Sequence, residues 1–222
     1  MGASGASRAA PPVKGTRFLS RILSSLRARG YTPEPHLINA ADFGVPQNRQ
    51  RYFIFASRRS GGASLDAPEP SHRRPGAEEN GHLPSTPTVV ESLDRLPDFG
   101  PAVEAEWVVS PDGSLLLNAS TMRHSERVVT KIKGIPPGGG PISYRRLESD
   151  LARTLVAGHR ALPVHPELDR TMSVREAARI QGFPDTYVFA GPKAEQPLQV
   201  ANAVPPPVAC AVGRHLLAFV KD

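Results

Sequence analysis

Residues 42–58, reading DFGVPQNRQRYFIFASR, constrain this chain more than any other stretch. A Gly-Val-Pro turn at Gly44, Val45 and Pro46 leads into five polar residues, Gln47, Asn48, Arg49, Gln50 and Arg51. These run directly into Tyr52, Phe53, Ile54, Phe55 and Ala56. An apolar, aromatic-rich run of that length behind a turn predicts a buried strand entered from a functional loop. Successive side chains of an extended segment point to opposite faces, so Gln47, Arg49 and Arg51 are expected on one side and Asn48 and Gln50 on the other. Two guanidiniums so close repel each other, and the pattern makes sense around something anionic or carbonyl-rich, such as the phosphates and base carbonyls of a nucleic acid. A solvated basic run ahead of a strand is the plainer alternative.

On the N-terminal side, residues 1–15 are small residues with Pro and Gly and predict a flexible tail. From Thr16 the apolar positions Phe18, Leu19, Ile22, Leu23 and Leu26 recur at helical spacing, and Gly30 supplies a left-handed stop. Pro33 and Pro35 then restrict residues 31–37 to an edge strand or an extended link. Beyond the arginine stretch, residues 59–90 are broken by Pro68, Pro70, Pro75, Pro84 and Pro87, which predicts an irregular, mobile segment. Residues 88–96 suit a short helix, and residues 107–109 and 114–117 suit a hairpin across Pro111, Asp112 and Gly113.

Residues 118–147 collect candidate contacts for an anionic partner: Arg123, Lys131, Lys133, Arg145 and Arg146, around a Pro-Pro-Gly-Gly-Gly bend at 136–140. Glycines there would let backbone approach a phosphate; a flexible loop bordered by solvated charge fits equally. Further on, Ser173 and Glu176 form a capping box that starts a helix through Ala177, Ala178 and Ile180, ended by Gly182, Phe183 and Pro184. Finally, Pro205, Pro206 and Pro207 open an apolar, buried helix that is expected to hold Cys210 as a small core residue.

Three of these segments resemble conserved motifs of the DNA cytosine-5 methyltransferases. Residues 39–51 resemble motif VIII, with its Gln-x-Arg-x-Arg at Gln47, Arg49 and Arg51. Residues 169–185, DRTMSVREAARIQGFPD, resemble motif IX, and residues 199–207, QVANAVPPP, resemble motif X. The resemblance implies an α/β fold, a partial Rossmann-like S-adenosylmethionine-dependent methyltransferase fold with an inserted irregular target recognition domain. Residues 16–58 would be the catalytic-domain fragment with motif VIII, 59–150 the target recognition domain, and 151–222 the motifs that close the catalytic domain. It further implies that Arg51 contacts a flipped cytosine at its carbonyl, that Arg49 holds developing charge or a nearby phosphate, and that Gln47 organises the pocket wall.

The same resemblance gives Arg170, Arg175 and Arg179 a bracing role, and places Asn202 and the Ala203 backbone beside S-adenosylmethionine. Two positions depart from the family pattern. Ala201 replaces a glycine, which would weaken the pocket if the backbone there needs a positive φ, and Arg153 stands before Thr154 where proline is usual. The Pro-Cys, Glu-Asn-Val and Phe-x-Gly-x-Gly motifs that supply the family's nucleophile, acid and cofactor turn do not occur in this sequence. The implied partners are therefore double-stranded DNA and a separate chain carrying those motifs. A truncated gene fragment or an inactive DNA-binding module remain open alternatives, as does RNA, since a related branch acts on transfer RNA.

Composition agrees with an anionic partner. The net charge is +6, and residues 1–60 hold ten basic residues against Glu34 and Asp42, so the rest of the chain is slightly acidic. A single cysteine excludes an internal disulfide framework and fits a reducing, cytoplasmic setting. No apolar run is long enough to span a bilayer, and the scattered histidines show no zinc-type spacing with Cys210, so no metal is expected.

Overall fold

Two compact units make up this computed structural model: Met1–Ile38 with Gln50–Pro68, and Asn39–Arg49 with Glu69–Asp222. It describes residues 16–58, 65–77, 81–94, 96–97, 105–156 and 162–220. The expected tail at 1–15 lies outside the described residues, as does part of the expected irregular segment, at 59–64 and 78–80.

In the first unit, helix α1 (Thr16–Arg27) half-buries Leu19, Ile22, Leu23 and Leu26, the stripe that its 3.6-residue period lines up. Phe18 departs from that expectation and is 74% exposed. Gly30 has φ +80 and turns the chain after the helix. Strand β1 (Thr32–Asn39) follows and shares a two-stranded sheet with β3 (Gln50–Ser57). Every strand of a two-stranded sheet is an edge, which is why Pro33 and Pro35 are tolerated. The expected buried strand is therefore only half-buried, with Phe55 as its one buried residue. Within this unit His36 stacks 5.2 Å from Phe55 and hydrogen-bonds the Leu65 carbonyl at 2.7 Å.

The second unit begins with a one-turn 3-10 helix, Ala40–Phe43. Asn39 caps it by accepting from the Ala41 amide, and Gly44 ends it at φ +79. The chain then enters β2 (Gln47–Asn48), which pairs in parallel with β6 (Ala152–Arg153), Gln47 opposite Ala152 and Asn48 opposite Arg153. A short helix α2 (Val89–Leu93) starts with a capping box between Thr88 and Glu91. The hairpin of β4 (Trp107–Val109) and β5 (Leu115–Leu117) forms as its sequence predicts, Trp107 opposite Leu117.

Helix α3 (Glu126–Lys133) buries Ile132 and presents Lys131 and Lys133 in its last turn, where positive charge suits the helix dipole. Helix α4 (Val174–Ile180) carries the expected Ser173–Glu176 capping box and is almost wholly buried. It packs against α2 and α5 (Gln196–Asn202). Around it lies a core of Val89, Leu147, Leu155, Met172, Ile180 and Val200, flanked by Phe183 and Phe189 at 5.1 Å.

Helix α6 (Pro206–Val220) packs on the 3-10 helix at 40–43. Its apolar residues cover more of its circumference than that contact occupies. Cys210, expected in the core, is consequently exposed, along with Leu217 and Ala218. Ala201 also departs from expectation: it sits inside α5, and Asn118 is the one non-glycine at positive φ among the described residues. Alanine is thus a good helix former here rather than a strained substitute.

Gly182, at φ +79, is where the end of α4 meets the start of α6, and a Cβ built there would lie 2.8 Å from Pro207 Cδ. Gly182→Ala is expected to lower unfolding stability by more than the roughly 1–2 kcal/mol of left-handed strain alone. Gly113→Ala, at φ +85 with open space around it, should show only the strain. Denaturant titration of the two variants checks this; equal losses would show that the Pro207 contact is unimportant.

Candidate functional site

The polar loop does not run as one straight strand. Gln47 N–H donates to the Val45 carbonyl at 2.6 Å and Arg49 N–H to the Gln47 carbonyl at 2.9 Å, two three-residue turns in succession. The Arg49 carbonyl then accepts from Ala40 N–H at 3.0 Å, closing the loop on the 3-10 helix. Gln47 and Arg49 are buried and Asn48 and Gln50 exposed, so the expected alternation holds to that point. Arg51 does not follow it. Its side chain is exposed, with Nη1 donating to the neighbouring Gln50 carbonyl at 2.8 Å.

Gln47 is fully buried, and its amide is used at both ends. Nε2 donates to Gln181 Oε1 at 2.9 Å, while Oε1 accepts from Leu155 N–H at 3.1 Å. Gln181, equally buried, passes the chain on by donating to the Val200 carbonyl at 2.8 Å. Three segments distant in sequence, the arginine loop, the end of α4 and α5, are thereby joined through two side chains that water does not reach. Gln181 was not legible as part of this site, because nothing local to residue 181 names a partner 134 positions away.

The arginines of the α4 region are consumed internally. Arg170, 1% exposed, holds Glu176 through two bonds at 2.9 and 2.7 Å, and Glu176 also accepts from Ser173 N–H. Arg175 is fully buried and donates to the carbonyls of Leu117, Pro184 and Tyr187. Burial pulls its pKa below the usual guanidinium value, with Asp185 opposing the shift and Arg179 adding to it. Arg179 pairs with Asp185 through two bonds at 3.0 and 2.6 Å. Asn118, bent into φ +63, bonds both backbone groups of Phe189 and helps lock the β4–β5 hairpin to this region.

The five basic residues expected to meet an anionic partner separate in the structure. Arg123, Lys131 and Lys133 are exposed. Arg145 is half-buried, and its Nε is buried with no hydrogen-bond partner. Arg146, 6% exposed, is instead a brace: it pairs with Asp169 at 2.7 Å and donates to the carbonyls of Ile132, Ile135, His165 and Leu168. A side chain with its donors so engaged is not available to a phosphate, and this corrects its expected role as a contact.

Near the other end, Asn202 is exposed at the end of α5 and makes no side-chain hydrogen bond to any described residue. Ala203 N–H is committed to the Gln199 carbonyl at 3.1 Å, leaving the Asn202 amide as the group open to a polar ligand. Asp42, at the other end of the arginine loop, has its pKa raised by burial, an effect opposed by Arg74 at 2.6 Å.

A model of the family "C-5 cytosine-specific DNA methylase" matches residues 12–218. The Type II methyltransferase M1.HphI of Haemophilus parahaemolyticus is 34% identical over 212 residues, covering 89% of this chain and 51% of that protein. M.HpaII of Haemophilus parainfluenzae is 32% identical over 220 residues, covering 90% and 55%. The chain thus spans about half the length of these relatives. Among solved structures, a prophage-encoded E. coli protein described as a DNA modification methyltransferase superposes with a TM-score of 0.71 at 22% identity, over 95% of this chain and 67% of that one. That likeness establishes an α/β fold shared with that protein.

Two measurements test this geometry. Gln47→Leu leaves Gln181 Oε1 and the Leu155 N–H buried without partners, and is expected to cost about 2–5 kcal/mol in denaturant unfolding, far above an exposed Asn48→Ala. His124 Nε2 accepts from Thr171 N–H at 3.4 Å, and burial lowers its pKa below 6.5. A depressed histidine pKa contributes stability that is present above 6.5 and lost as pH falls. The fall in melting temperature from pH 7.5 to pH 5 should therefore be smaller in His124→Gln; an identical fall would remove this residue from the acid response.

Proposed function

We propose, since the chain belongs to the C-5 cytosine-specific DNA methylase family, that it is the C-terminal portion of a DNA (cytosine-5) methyltransferase of the restriction-modification type. It acts on double-stranded DNA together with the half of the enzyme that carries the Pro-Cys, Glu-Asn-Val and Phe-x-Gly-x-Gly motifs. The observation that carries this reading is the buried amide chain from Gln47 through Gln181 to the Val200 carbonyl. It assembles on one another the three segments that match the family's motifs VIII, IX and X, and a pocket wall needs that rigidity.

In this reading the target cytosine is extruded from the duplex, and Arg51 donates to its carbonyl. The exposure of Arg51 leaves its remaining guanidinium donors accessible for that task. Gln47 fixes the wall, while Arg49, buried beside it in the chain, supplies fixed positive charge as negative charge develops on the base. Bound S-adenosylmethionine supplies the methyl group for C5. Asn202 fits a role in holding its methionine end because its amide is exposed and uncommitted, with the Ala203 backbone adjoining. Residues 59–150 form the target recognition region, with Arg123, Lys131, Lys133 and Arg145 on the DNA backbone.

The test is reconstitution. The chain is mixed with a separately expressed segment bearing the missing motifs, a duplex and methyl-labelled S-adenosylmethionine. Label is expected in DNA cytosine only when both polypeptides are present. Arg51→Ala should lower turnover roughly 100- to 1,000-fold, the size of losing one transition-state donor, without changing the melting temperature. DNA binding by the chain with no transfer under any mixing would favour an inactive binding module.

A further inference from the structure

We infer that a cleft beside the arginine loop, lined by Asn48, Arg145, Arg153 and Thr154, is a site for one backbone phosphodiester of the nucleic acid. This inference rests on the reading above and specifies one contact within it. The cleft holds about 310 Å³, at the small end of the range for ligand sites, and its walls are completed by apolar groups that include Val156 and Pro163.

Two observations point to an anion. First, Arg145 lines the cleft, is half-buried, and has no side-chain hydrogen bond or ion pair to any described residue. A half-buried guanidinium without an acceptor is costly, and an oxygen ligand in the cleft removes part of that cost. Second, Arg153 brings another guanidinium to the same cleft, with 60% of its side chain exposed. Among the described residues its partner is Glu148, which accepts from Nε at 3.1 Å. That contact leaves both terminal nitrogens of Arg153 for a second acceptor.

Position argues for a phosphodiester rather than a free ion. Parallel pairing sets Arg153 opposite Asn48, the residue between Gln47 and Arg49, and Thr154 donates its hydroxyl to the Asn48 carbonyl at 3.3 Å. The cleft is thereby fixed by backbone to the loop assigned to the base, so a phosphate held here belongs to the strand from which that base is drawn. Apolar lining beside two guanidiniums suits the sugar that accompanies each phosphate. Arg153 stands where the family's pattern has proline, so this contact is a property of this chain's own sequence.

Glu148 has a part in the same site. Its carboxylate neutralises part of the charge of Arg153, and its Oε2 is buried with no hydrogen-bond partner. It orients the guanidinium and at the same time weakens the pull on an incoming phosphate.

Fluorescence anisotropy with the full chain and two 20-base-pair duplexes of unrelated sequence tests the inference across a salt series. Arg153→Ala and Arg145→Lys are each expected to weaken both duplexes alike. For Arg153→Ala the loss is roughly five- to tenfold near physiological salt, and the slope of log affinity against log salt shrinks by about 0.9. Glu148→Gln is expected to tighten binding, and to do so much less when Arg153 is already alanine. Wild-type slopes in Arg153→Ala, with its melting temperature unchanged, would overturn this site while leaving the methyltransferase reading intact. No salt-dependent binding of either duplex by the wild-type chain would overturn both. A third arm titrates inorganic phosphate: thermal stabilisation lost in Arg153→Ala, with duplex affinity unchanged, would make this a free-anion site and sink the assignment to a strand.

Discussion

Two buried glutamines hold the candidate site together. A primary amide has a donor end and an acceptor end, and in Gln47 and Gln181 both ends are used in series, from Leu155 N–H through to the Val200 carbonyl. Neither side chain has water as a fallback, since both are fully buried. Loss of one bond therefore strands the next group along, and the arginine loop, the end of α4 and α5 keep or lose their arrangement together. Gly182, one residue past Gln181, closes the same junction by letting Pro207 at the start of α6 come within reach of its backbone.

Around that junction the chain uses arginine for two unlike purposes. Arg146, Arg170 and Arg175 are almost wholly inside, each answered by several carbonyls or by a carboxylate. Such pairs gain little over an apolar core of equal volume, but breaking one leaves a charge with no solvation. Their benefit is geometric. One guanidinium fork reaches carbonyls from segments that share no helix or strand, which is how an irregular region is held without a large sheet. Arg51, Arg123 and Arg153, by contrast, are exposed at the surface.

What the sequence makes legible is local. The Ser173–Glu176 capping box, the stop at Gly30, the hairpin at 107–117 and the start of α6 at the prolines each depend on residues a few positions apart, and each forms as its pattern requires. The partnership of Gln47 with Gln181 was not legible, because it is set by packing across the fold. Nor could sequence separate Arg145 from Arg146. Adjacent residues of identical chemistry point to opposite uses here only because Arg146 lies under the carbonyls that end α3 and precede α4. Ala201 and Cys210 misled for a related reason: a residue's neighbours in the chain do not say whether its backbone is already helical or which side of its helix is covered.

Formal charge consequently overstates the surface open to a polyanion. Of the 27 Lys and Arg of the chain, Arg49, Arg146, Arg170 and Arg175 are buried, and Lys131 and Lys133 stand in the last turn of α3, where they also complement the helix dipole. A surface of that kind does not hold nucleic acid by sheer field strength. On such a surface the placement of the exposed cations counts for more than their number, and Arg153 is informative on that point. It is fixed opposite Asn48 by β pairing, tempered by Glu148, and set beside a loop whose own charges are partly internal. Weak, well-placed attraction favours register over tenacity.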